Sequence, residues 1–253
     1  QPYPPLGTIS AAAFLRSKNC KVELFDSMFA HSADEIIPAL EKFQPDFLVI
    51  YDDGFNYLTK MCLTNMREAA FEMIRFANAQ NIKVIVNSSD STDHADMYLS
   101  VGADFIVYGE GEETLSELID HLASSSEKPK DISGLQYKSS NGLVKTPKRN
   151  VLKIIDELPT PAWDLINMQE YKDRWMASSG YFSLNLSTTR GCPFHCNWCA
   201  KPIYGNRYNV HSPQRIVNEI KFLQEKYGAN HFWMTDDIFG LKPGWTKEFA
   251  DLV

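Results

Sequence analysis

The sequence predicts an α/β protein, in which a Rossmann-like parallel sheet domain is followed by further βα units. Three observations lead to this prediction. Short β-rich runs alternate with helical periods over residues 1–123, a polar stretch punctuated by Pro and Gly follows at 124–150, and the βα alternation resumes at Tyr181. Strands that are separated by helices need crossover connections, so we expect a parallel sheet that is covered by helices on both faces.

The β-rich runs of the first region predict four strands, and the segments between them have the spacing of one-sided helices. One such helix is predicted to begin after an N-cap at Thr64, and another runs through residue 115. A first helix at 9–16 has no strand before it, so we expect that strand to lie upstream of Gln1. The predicted strands are 21–25, 47–51, 84–87 and 105–108, and the apolar helix positions are Met66, Ala70, Met73 and Ala77, then Leu115, Leu118, Ile119 and Leu122.

Residues 126–175 are predicted to connect two domains, because polar residues, Pro and Gly replace the periodic pattern there. Within this linker, the runs 135–138 and 143–145 have the spacing of a small β-hairpin. The predicted organisation is therefore a sheet domain at 1–125, a linker with a hairpin at 126–175, and a second domain at 176–253.

The second domain shows one well-marked βα unit and the start of another. Residues 183–189 alternate like a strand, and the next helix is bounded by Ser212 as N-cap, Pro213 in the first turn and Gly228 at its end. Residues 231–235 have the pattern of the following strand. Two βα units cannot close a barrel, so we expect the chain to be a fragment of a longer protein.

The composition is that of an ordinary globular protein and gives no sign of a nucleic-acid partner. Apolar residues make up 44% of the chain and charged residues 23%, with a formal net charge of −7. No window collects the Lys and Arg of a nucleic-acid groove, no apolar run approaches the roughly 20 residues of a membrane helix, and no signal peptide opens the sequence. We therefore expect a cytoplasmic protein without a membrane span, as the cysteine pattern also suggests.

Three of the five cysteines lie close together in the sequence RGCPFHCNWC, which follows a predicted strand. Cys192, Cys196 and Cys199 have the spacing C-x3-C-x2-C. Thiolates suit iron–sulphur clusters as soft, charged ligands, and three of them on a cubane of four irons leave one iron open. That iron can chelate the amino and carboxylate groups of S-adenosylmethionine. The spacing therefore predicts a [4Fe–4S] cluster that binds S-adenosylmethionine.

Two other uses of these cysteines are open at the level of the sequence. A zinc site would combine Cys196 and Cys199 with two histidines, although structural zinc usually takes two such close pairs. A disulfide would use two of these three cysteines and leave the third unpaired. The histidines available for zinc are His195, His211 and His231. Cys20 and Cys62 stand alone, and we expect both to be inert thiols.

The segment CPFHCNWC after a strand resembles the signature of the radical S-adenosylmethionine (radical SAM) superfamily. The order of PPLG, a helix, KVELFD and further strand–helix pairs resembles the cobalamin-binding domain that precedes the radical domain in one branch of that superfamily. Members of the branch include radical methyltransferases and the anaerobic magnesium-protoporphyrin ester cyclase. The resemblance covers the whole chain, and it implies that the second domain is the first part of a TIM-type radical SAM barrel.

The resemblance also implies residues that bind S-adenosylmethionine. Trp198 fills an aromatic position beside the last cysteine, close to the adenine. The family's second motif, Gly-Gly-Glu, contacts the methionine amino group, and this chain has Asp236 and Asp237 in that region. One of the two aspartates is therefore expected to take over that contact. A core position for Trp198, and helix capping or an exposed turn for the aspartates, are the alternatives.

Cobalamin contacts are implied at the carboxyl ends of the strands of the first domain, where glycines let the backbone approach a flat ligand. In cobalamin mutases and methionine synthase a histidine of the first loop ligates cobalt. Pro4 stands at that position here, so we expect a corrin without a protein histidine. A domain that keeps the fold and has lost the corrin is the alternative. The predicted contacts are Pro5, Leu6, Gly7, Asp52, Asp53, Gly54, Ser88, Ser89, Gly109, Glu110 and Gly111.

Together these features predict a cobalamin-dependent radical SAM enzyme that cleaves S-adenosylmethionine reductively to a deoxyadenosyl radical. Methyl transfer to an unactivated carbon of a small-molecule substrate is the expected reaction, with an external electron donor such as a flavodoxin or ferredoxin. The rivals are a radical oxidative cyclase or oxidoreductase of the same branch, and a non-catalytic iron–sulphur protein that senses redox state or transfers electrons. No residue is assigned as catalytic, because the substrate is not evident from the sequence.

Overall fold

The computed structural model describes residues 2–52, 62–125, 127–197 and 203–253. The helices within these ranges are α1 (Leu6–Ser17), α2 (Ile37–Phe43), α3 (Leu63–Ala79), α4 (Ser89–Asp93), α5 (Ala95–Val101), α6 (Glu112–Ser124), α7 (Met168–Ser179), α8 (Pro213–Tyr227) and α9 (Trp245–Leu252). The strands are β1 (Phe47–Tyr51), β2 (Lys83–Asn87), β3 (Phe105–Val107), β4 (Leu135–Ser139), β5 (Gly142–Lys145), β6 (Ser183–Leu186), β7 (Thr189–Arg190), β8 (Asn209–Val210) and β9 (His231–Met234). None of these helices is long and apolar enough to cross a membrane.

Strands β1 to β5 form one sheet, in which the first three strands are parallel. Tyr51 of β1 lies opposite Asn87 of β2, and Asn87 lies opposite Val107 of β3, so three carboxyl ends reach the same edge. Parallel sheets are normally covered on both faces, and the side chains of 84–86 are almost completely buried. The prediction of a Rossmann-like parallel sheet is confirmed.

The predicted hairpin is present, and it belongs to this sheet. Ser139 of β4 lies opposite Gly142 of β5, and β4 pairs antiparallel with β3 through Leu135 and Val107. Leu135 and Tyr137 are buried in one core with the apolar side of α6. The hairpin therefore extends the sheet of the first domain, rather than only spanning the distance between two domains.

The second domain begins with a parallel pair, β6 and β9, in which Ser183 lies opposite His231 and Leu186 opposite Met234. The order β6, α8, β9, α9 confirms the predicted βα units. Leu184 and Leu186 are buried in a core that also contains residues of α1, α7 and α8. Because α1 precedes the first sheet in the chain, one apolar cluster joins the two halves of the protein.

Helix α8 begins and ends as the sequence predicts. The Ser212 hydroxyl oxygen accepts the backbone N–H of Arg215 at 3.4 Å, and Pro213 lies in the first turn. Gly228 ends the helix with a φ of 75°, a left-handed conformation that glycine adopts without a steric penalty. Ile216 and Leu223 of α8 are fully buried.

The segment 21–25 is not a strand of the sheet, so that prediction was wrong. Lys21 and Glu23 are exposed, whereas Val22 and Leu24 pack against the core. A strand needs a neighbour that pairs with its N–H and C=O groups, and no strand in the described ranges pairs with this segment. The alternation of polar and apolar residues at 21–25 therefore results from side-chain packing and not from a hydrogen-bonded strand.

Two helices differ from the prediction because distant contacts outweigh local signals. Helix α3 begins after Cys62, so Thr64 lies inside its first turn and is not the N-cap. Helix α7 occupies the end of the stretch predicted as a linker and continues beyond it. Its Trp175 donates from Nε1 to the carbonyl oxygen of Pro2 at 2.7 Å, a contact between residues 173 positions apart. Such a partner is not visible in the local sequence pattern.

Candidate cluster and cofactor site

The loop that carries the cysteines is closed at its base by a short antiparallel ladder. Strand β7 leads into the loop and β8 leads out of it, with Arg190 opposite Asn209. Gly191, the first residue of the loop, has a φ of +82°, and a Cβ atom there would lie 2.4 Å from the carbonyl oxygen of Arg207. The close approach of the two ends of the loop therefore requires glycine directly before the first cysteine.

The structure places Cys192 inside the protein and Cys196 at the surface, while Cys199 and Trp198 lie outside the described residues. Residues 191–196 form neither helix nor strand. Their backbone N–H groups are therefore not committed to regular secondary structure. Two thiols on an irregular loop, with the third set by the C-x3-C-x2-C spacing, fit the donor set of an iron–sulphur cluster.

The three histidines of the zinc alternative bind other side chains through Nδ1. The pairs are His195 with Asn206 at 2.8 Å, His211 with Asp156 at 2.9 Å, and His231 with Ser183 at 2.8 Å. Burial and the neighbouring Arg215 lower the pKa of His211 to about 4, so its ring is neutral at pH 7. Within the described ranges no three His, Cys, Asp or Glu side chains are grouped as metal ligands. The Nδ1 contacts do not bear on zinc, because a metal-binding histidine also holds a partner through its second ring nitrogen. The described residues, which do not include Cys199, bring no zinc ligand set together.

The residues predicted to contact cobalamin gather at the carboxyl edge of the parallel strands, where ligands of open α/β sheets bind. The backbone N–H of Asp52 donates to the carbonyl oxygen of Asn87 at 2.8 Å, which joins the loops after β1 and β2. Thr8 in the first turn of α1 donates from Oγ1 to the carbonyl oxygen of Tyr51 at 2.9 Å. The predicted positions near this edge are 5–7, 52, 88–89 and 109–111, whereas Asp53 and Gly54 lie outside the described residues.

Two glycines shape the loop after β3, one by allowing a close approach and one by its positive φ. A Cβ atom at Gly111 would lie 2.9 Å from Nδ2 of Asn87 and 3.0 Å from the hydroxyl oxygen of Tyr51. A Cβ atom at Gly109, where φ is +79°, would lie 3.9 Å from the carbonyl oxygen of Ile203, which belongs to the cysteine loop. The predicted corrin edge and the predicted cluster loop are therefore in contact.

A buried ionic network joins these two loops. Arg190 donates from Nη1 to Oε1 of Glu110 at 2.5 Å and from Nη2 to Oε1 of Glu112 at 2.7 Å. All three charged side chains are at most 6% exposed. The guanidinium also lies 5.4 Å from the ring centre of Tyr204. Glu110 Oε2 accepts the backbone N–H of Leu152 at 2.5 Å. The carboxylate of Glu110, a residue predicted to contact cobalamin, is therefore directed into the ionic network.

Burial and charge act in opposite directions on the pKa values in this network. Burial raises the pKa of the Glu110 carboxyl, and the neighbouring Arg190 offsets part of that rise. Burial by itself would lower the pKa of Arg190, but Glu112 and Glu110 hold it well above its ordinary value. Burial raises the pKa of Tyr51 far above its ordinary value, and the charge of Glu112 adds to the rise. The guanidinium therefore stays charged, and the phenol stays neutral.

Asp236 and Asp237 follow β9 directly and have different surroundings. The Asp236 carboxylate accepts the backbone N–H groups of Thr188 and Thr189, each at 2.7 Å, and it also accepts both of their hydroxyl groups. Burial raises the pKa of Asp236, and these hydrogen bonds oppose that rise. Asp237 is exposed in the following bend. Asp236 thus holds the turn between β6 and β7, whereas Asp237 remains accessible.

The sequence prediction did not include Arg190, Glu112 or Asn209 among the residues that shape the site. One signal for Arg190 was available, because an arginine between a buried strand and a cysteine loop needs a carboxylate partner if it is itself buried. The identity of the partners was not available. Glu110 and Glu112 lie 80 and 78 positions away from Arg190.

Residues 186–252 match the family model described as the Radical SAM superfamily. An uncharacterized methyltransferase of Pyrococcus horikoshii is 30% identical over 244 residues, which cover 94% of this chain and 50% of the relative. An anaerobic magnesium-protoporphyrin IX monomethyl ester cyclase of Synechocystis is 24% identical over 255 residues, which cover 99% of this chain and 48% of the relative. The chain thus spans about half the length of these curated relatives.

Two solved structures match the fold over nearly the whole chain. The radical S-adenosylmethionine methyltransferase TsrM from Kitasatospora setae, with cobalamin and a [4Fe–4S] cluster bound, matches with a TM-score of 0.74 and 18% identity, covering 99% of this chain and 48% of TsrM. The cobalamin-dependent radical enzyme OxsB, with aqua-cobalamin and S-adenosylmethionine bound, matches with a TM-score of 0.74 and 22% identity, covering 99% of this chain and 34% of OxsB. The likeness is one of fold, and it includes both domains.

Proposed function

We propose that the chain is part of a cobalamin-dependent radical SAM methyltransferase, a member of the superfamily whose family model matches residues 186–252. One observation carries the proposal, namely the contact between the cysteine loop and the carboxyl edge of the N-terminal sheet. Gly109 approaches Ile203 there, and Glu110 binds Arg190. An enzyme that uses two cofactors in one reaction must hold both at one cavity, and this contact supports such an arrangement.

Cys192, Cys196 and Cys199 would hold the [4Fe–4S] cluster. Their thiol chemistry suits iron, and Gly191 permits the tight approach of the loop ends that brings the first cysteine to the site. Of the two aspartates, Asp237 is the better candidate for the amino group of S-adenosylmethionine, because the Asp236 carboxylate is occupied by the turn at 188–189. Trp198 is proposed beside the adenine on the family resemblance alone.

The corrin is proposed to lie against residues 5–7, 52–54, 88–89 and 109–111. Gly109 supports this position, because its φ of +79° favours glycine and the nearest described atom to a Cβ there would be 3.8 Å away, so the backbone is open to a flat ligand. Glu110 would contribute only its backbone, because its carboxylate binds Arg190 and Leu152. Pro4, at the place of the histidine that ligates cobalt in other cobalamin proteins, has no side-chain donor.

When bound, the two cofactors supply the electron that cleaves S-adenosylmethionine to a deoxyadenosyl radical and the methyl group that is transferred to an unactivated carbon. The residues of this chain would position the cofactors and exclude water from the space between the cysteine loop and the edge of the sheet. A small-molecule substrate and an external electron donor, such as a flavodoxin or ferredoxin, complete the proposed reaction.

A radical cyclase or oxidoreductase is the second candidate, because the Synechocystis cyclase matches 99% of this chain. The two candidates share the cleavage of S-adenosylmethionine and differ in their products. A methyltransferase consumes a second S-adenosylmethionine as methyl donor and releases S-adenosylhomocysteine, whereas a cyclase leaves the methyl group untouched. Mass spectrometry of the products formed from methyl-labelled S-adenosylmethionine separates them.

Anaerobic reconstitution with iron and sulfide tests the proposal. We expect the protein to show the visible charge-transfer absorption of a cluster and, after reduction, to form deoxyadenosine from S-adenosylmethionine. Replacing any one of Cys192, Cys196 or Cys199 by alanine should abolish both signals. Cys62→Ala is the control, because this exposed thiol of the first domain lies outside the loop.

Two outcomes would contradict the proposal. Equal loss of the absorption in Cys62→Ala would contradict the three-ligand assignment. A parent protein that binds the cluster and S-adenosylmethionine but forms no deoxyadenosine under reduction would indicate a non-catalytic cluster protein.

A further inference from the structure

We propose that Glu110 is a positioning residue for the cysteine loop, and that its single carboxylate anchors both strands at the base of that loop to the N-terminal sheet domain. The inference rests on the proposed function, because the loop is the proposed ligand loop of the cluster. It assigns to the N-terminal domain a role beyond cofactor binding, namely that of holding the cluster ligands in place.

The first contact of Glu110 is with β7. Its Oε1 accepts from Nη1 of Arg190 at 2.5 Å, and Arg190 is separated from Cys192 only by Gly191. Any rotation of the backbone at Arg190 would move the first cysteine directly. The charged hydrogen bond between guanidinium and carboxylate is short and directional, so it restricts that rotation.

The second contact of Glu110 leads to β8. Its Oε2 accepts the backbone N–H of Leu152 at 2.5 Å, and the carbonyl oxygen of Leu152 accepts from Nδ2 of Asn209 at 2.7 Å. Asn209 lies opposite Arg190 in the ladder that closes the loop. One carboxylate therefore reaches both the entry and the exit of the segment that contains all three cysteines.

Glu112 restricts the rotation of the Arg190 guanidinium that the bond to Glu110 still allows. Arg190 donates to Glu110 and Glu112 through its two terminal nitrogens, so it cannot turn about its long axis without losing one of the bonds. Glu112 Oε2 is buried and accepts no hydrogen bond in the described structure, which lowers stability. A buried ionic network of this kind contributes little to stability compared with apolar residues of similar volume. What the ionic network provides is a fixed position of the cysteine loop relative to the N-terminal sheet domain.

The test compares two variants with a control that changes a nearby glutamate, Glu113 in the first turn of α6. Glu110→Gln removes the charge that binds Arg190, and Asn209→Leu removes only the donor on β8. Glu113→Gln is the matched control, because Glu113 binds Arg149 at 3.3 Å and forms no hydrogen bond or ion pair with Arg190 among the described residues. Each protein is reconstituted anaerobically, and three quantities are measured: iron bound per chain, the paramagnetic resonance spectrum of the reduced cluster with and without S-adenosylmethionine, and the thermal midpoint of the apoprotein.

Both variants are expected to bind the cluster or S-adenosylmethionine at least roughly 10-fold more weakly than the parent, the usual effect of losing an outer partner of a metal site. The change of the resonance spectrum on addition of S-adenosylmethionine should be reduced or lost in both. The Glu113→Gln control should keep the parent's iron content and spectra. If Glu110→Gln does not fold, Asn209→Leu decides the question, because it removes one neutral hydrogen bond at a half-buried position.

Either variant that keeps the parent's iron content and spectral response overturns the corresponding contact. An equal loss in Glu113→Gln overturns the inference as a whole, because the effect would then not depend on the contacts of Glu110. If the unsubstituted protein takes up no cluster, the proposed function is contradicted, and this inference is contradicted with it. If the unsubstituted protein binds a normal cluster and the variants do so equally well, only this inference is contradicted.

Discussion

Two arginines bind glutamates just before α6 and in its first two turns, and they do so in opposite environments. The partners are Glu110 and Glu112 for Arg190, and Glu113 and Glu117 for Arg149. The first network is at most 6% exposed and joins the two domains. In the second, the glutamates are 39% and 50% exposed. The residue types are the same, so the difference lies in solvent access.

This difference separates the effect of a charge on stability from its effect on geometry. An exposed ion pair is screened by water and contributes about 0–1 kcal/mol. A buried network has already lost its hydration, so the removal of one member leaves an uncompensated charge in the interior. The buried network is therefore sensitive to truncation, even though an apolar replacement of the whole network would be tolerated.

The largest effect is expected from truncating the two arginines. Arg190→Ala should lower the free energy of unfolding by about 3–5 kcal/mol, because Glu110 and Glu112 would be left buried together without a cation. Arg149→Ala should lower it by less than about 1 kcal/mol. Urea unfolding of the two apoproteins measures both values. Similar losses in the two variants would show that burial does not distinguish the networks.

An intermediate effect on the free energy of unfolding is expected from the second pair of buried and exposed charges, Asp236 and Asp237. Asp236→Asn replaces an acceptor of backbone N–H groups by a side chain that offers one acceptor fewer, so the free energy of unfolding should fall by about 1–3 kcal/mol. Asp237→Asn should change it by less than about 0.5 kcal/mol. Instead it should weaken the binding of S-adenosylmethionine, measured by calorimetry on the reconstituted protein. Normal binding in Asp237→Asn would contradict its proposed role.

The smallest effect concerns acid stability and a third network, in which Arg67 and Tyr98 donate to the Asp90 carboxylate. Burial alone would raise the pKa of Asp90, but these bonds bring it below the ordinary value of 3.8. A lowered carboxyl pKa gives stability that is present above the unfolded-state value and is lost as the pH falls through the folded-state value.

The stability difference between the parent and Asp90→Asn should therefore be constant from about pH 7 to about pH 5 and shrink below about pH 4. Urea unfolding at a series of pH values measures this. A difference that grows as the pH falls would mean that the network does not favour the ionised carboxyl. His94 Nε2, 3.8 Å from Oδ1 of Asp90, makes no strong hydrogen bond, and its charge when protonated lowers the pKa of Asp90 further.

The elements that the sequence predicted correctly depend on neighbouring residues. Helix α8 is set by Ser212, Pro213 and Gly228 within its own boundaries, and the hairpin of β4 and β5 is set by its turn. The cysteine spacing likewise indicates its chemistry without reference to the rest of the chain. The segment 21–25 and helix α7 were not predicted correctly, because their conformations depend on residues far away in the sequence.

The sequence by itself therefore determined the α/β class and the positions of most strands, and its C-x3-C-x2-C spacing predicts the cluster ligands, since periodicity, caps and ligand spacing are short-range properties. Only the tertiary structure decided that Glu110 turns toward Arg190, that Asp236 holds the turn at 188–189, and that the hairpin joins the first sheet. The physical reason is that a buried charge or an unpaired strand edge requires a partner but does not specify which one. The packing of the two domains against each other selects that partner from positions about 80 residues away.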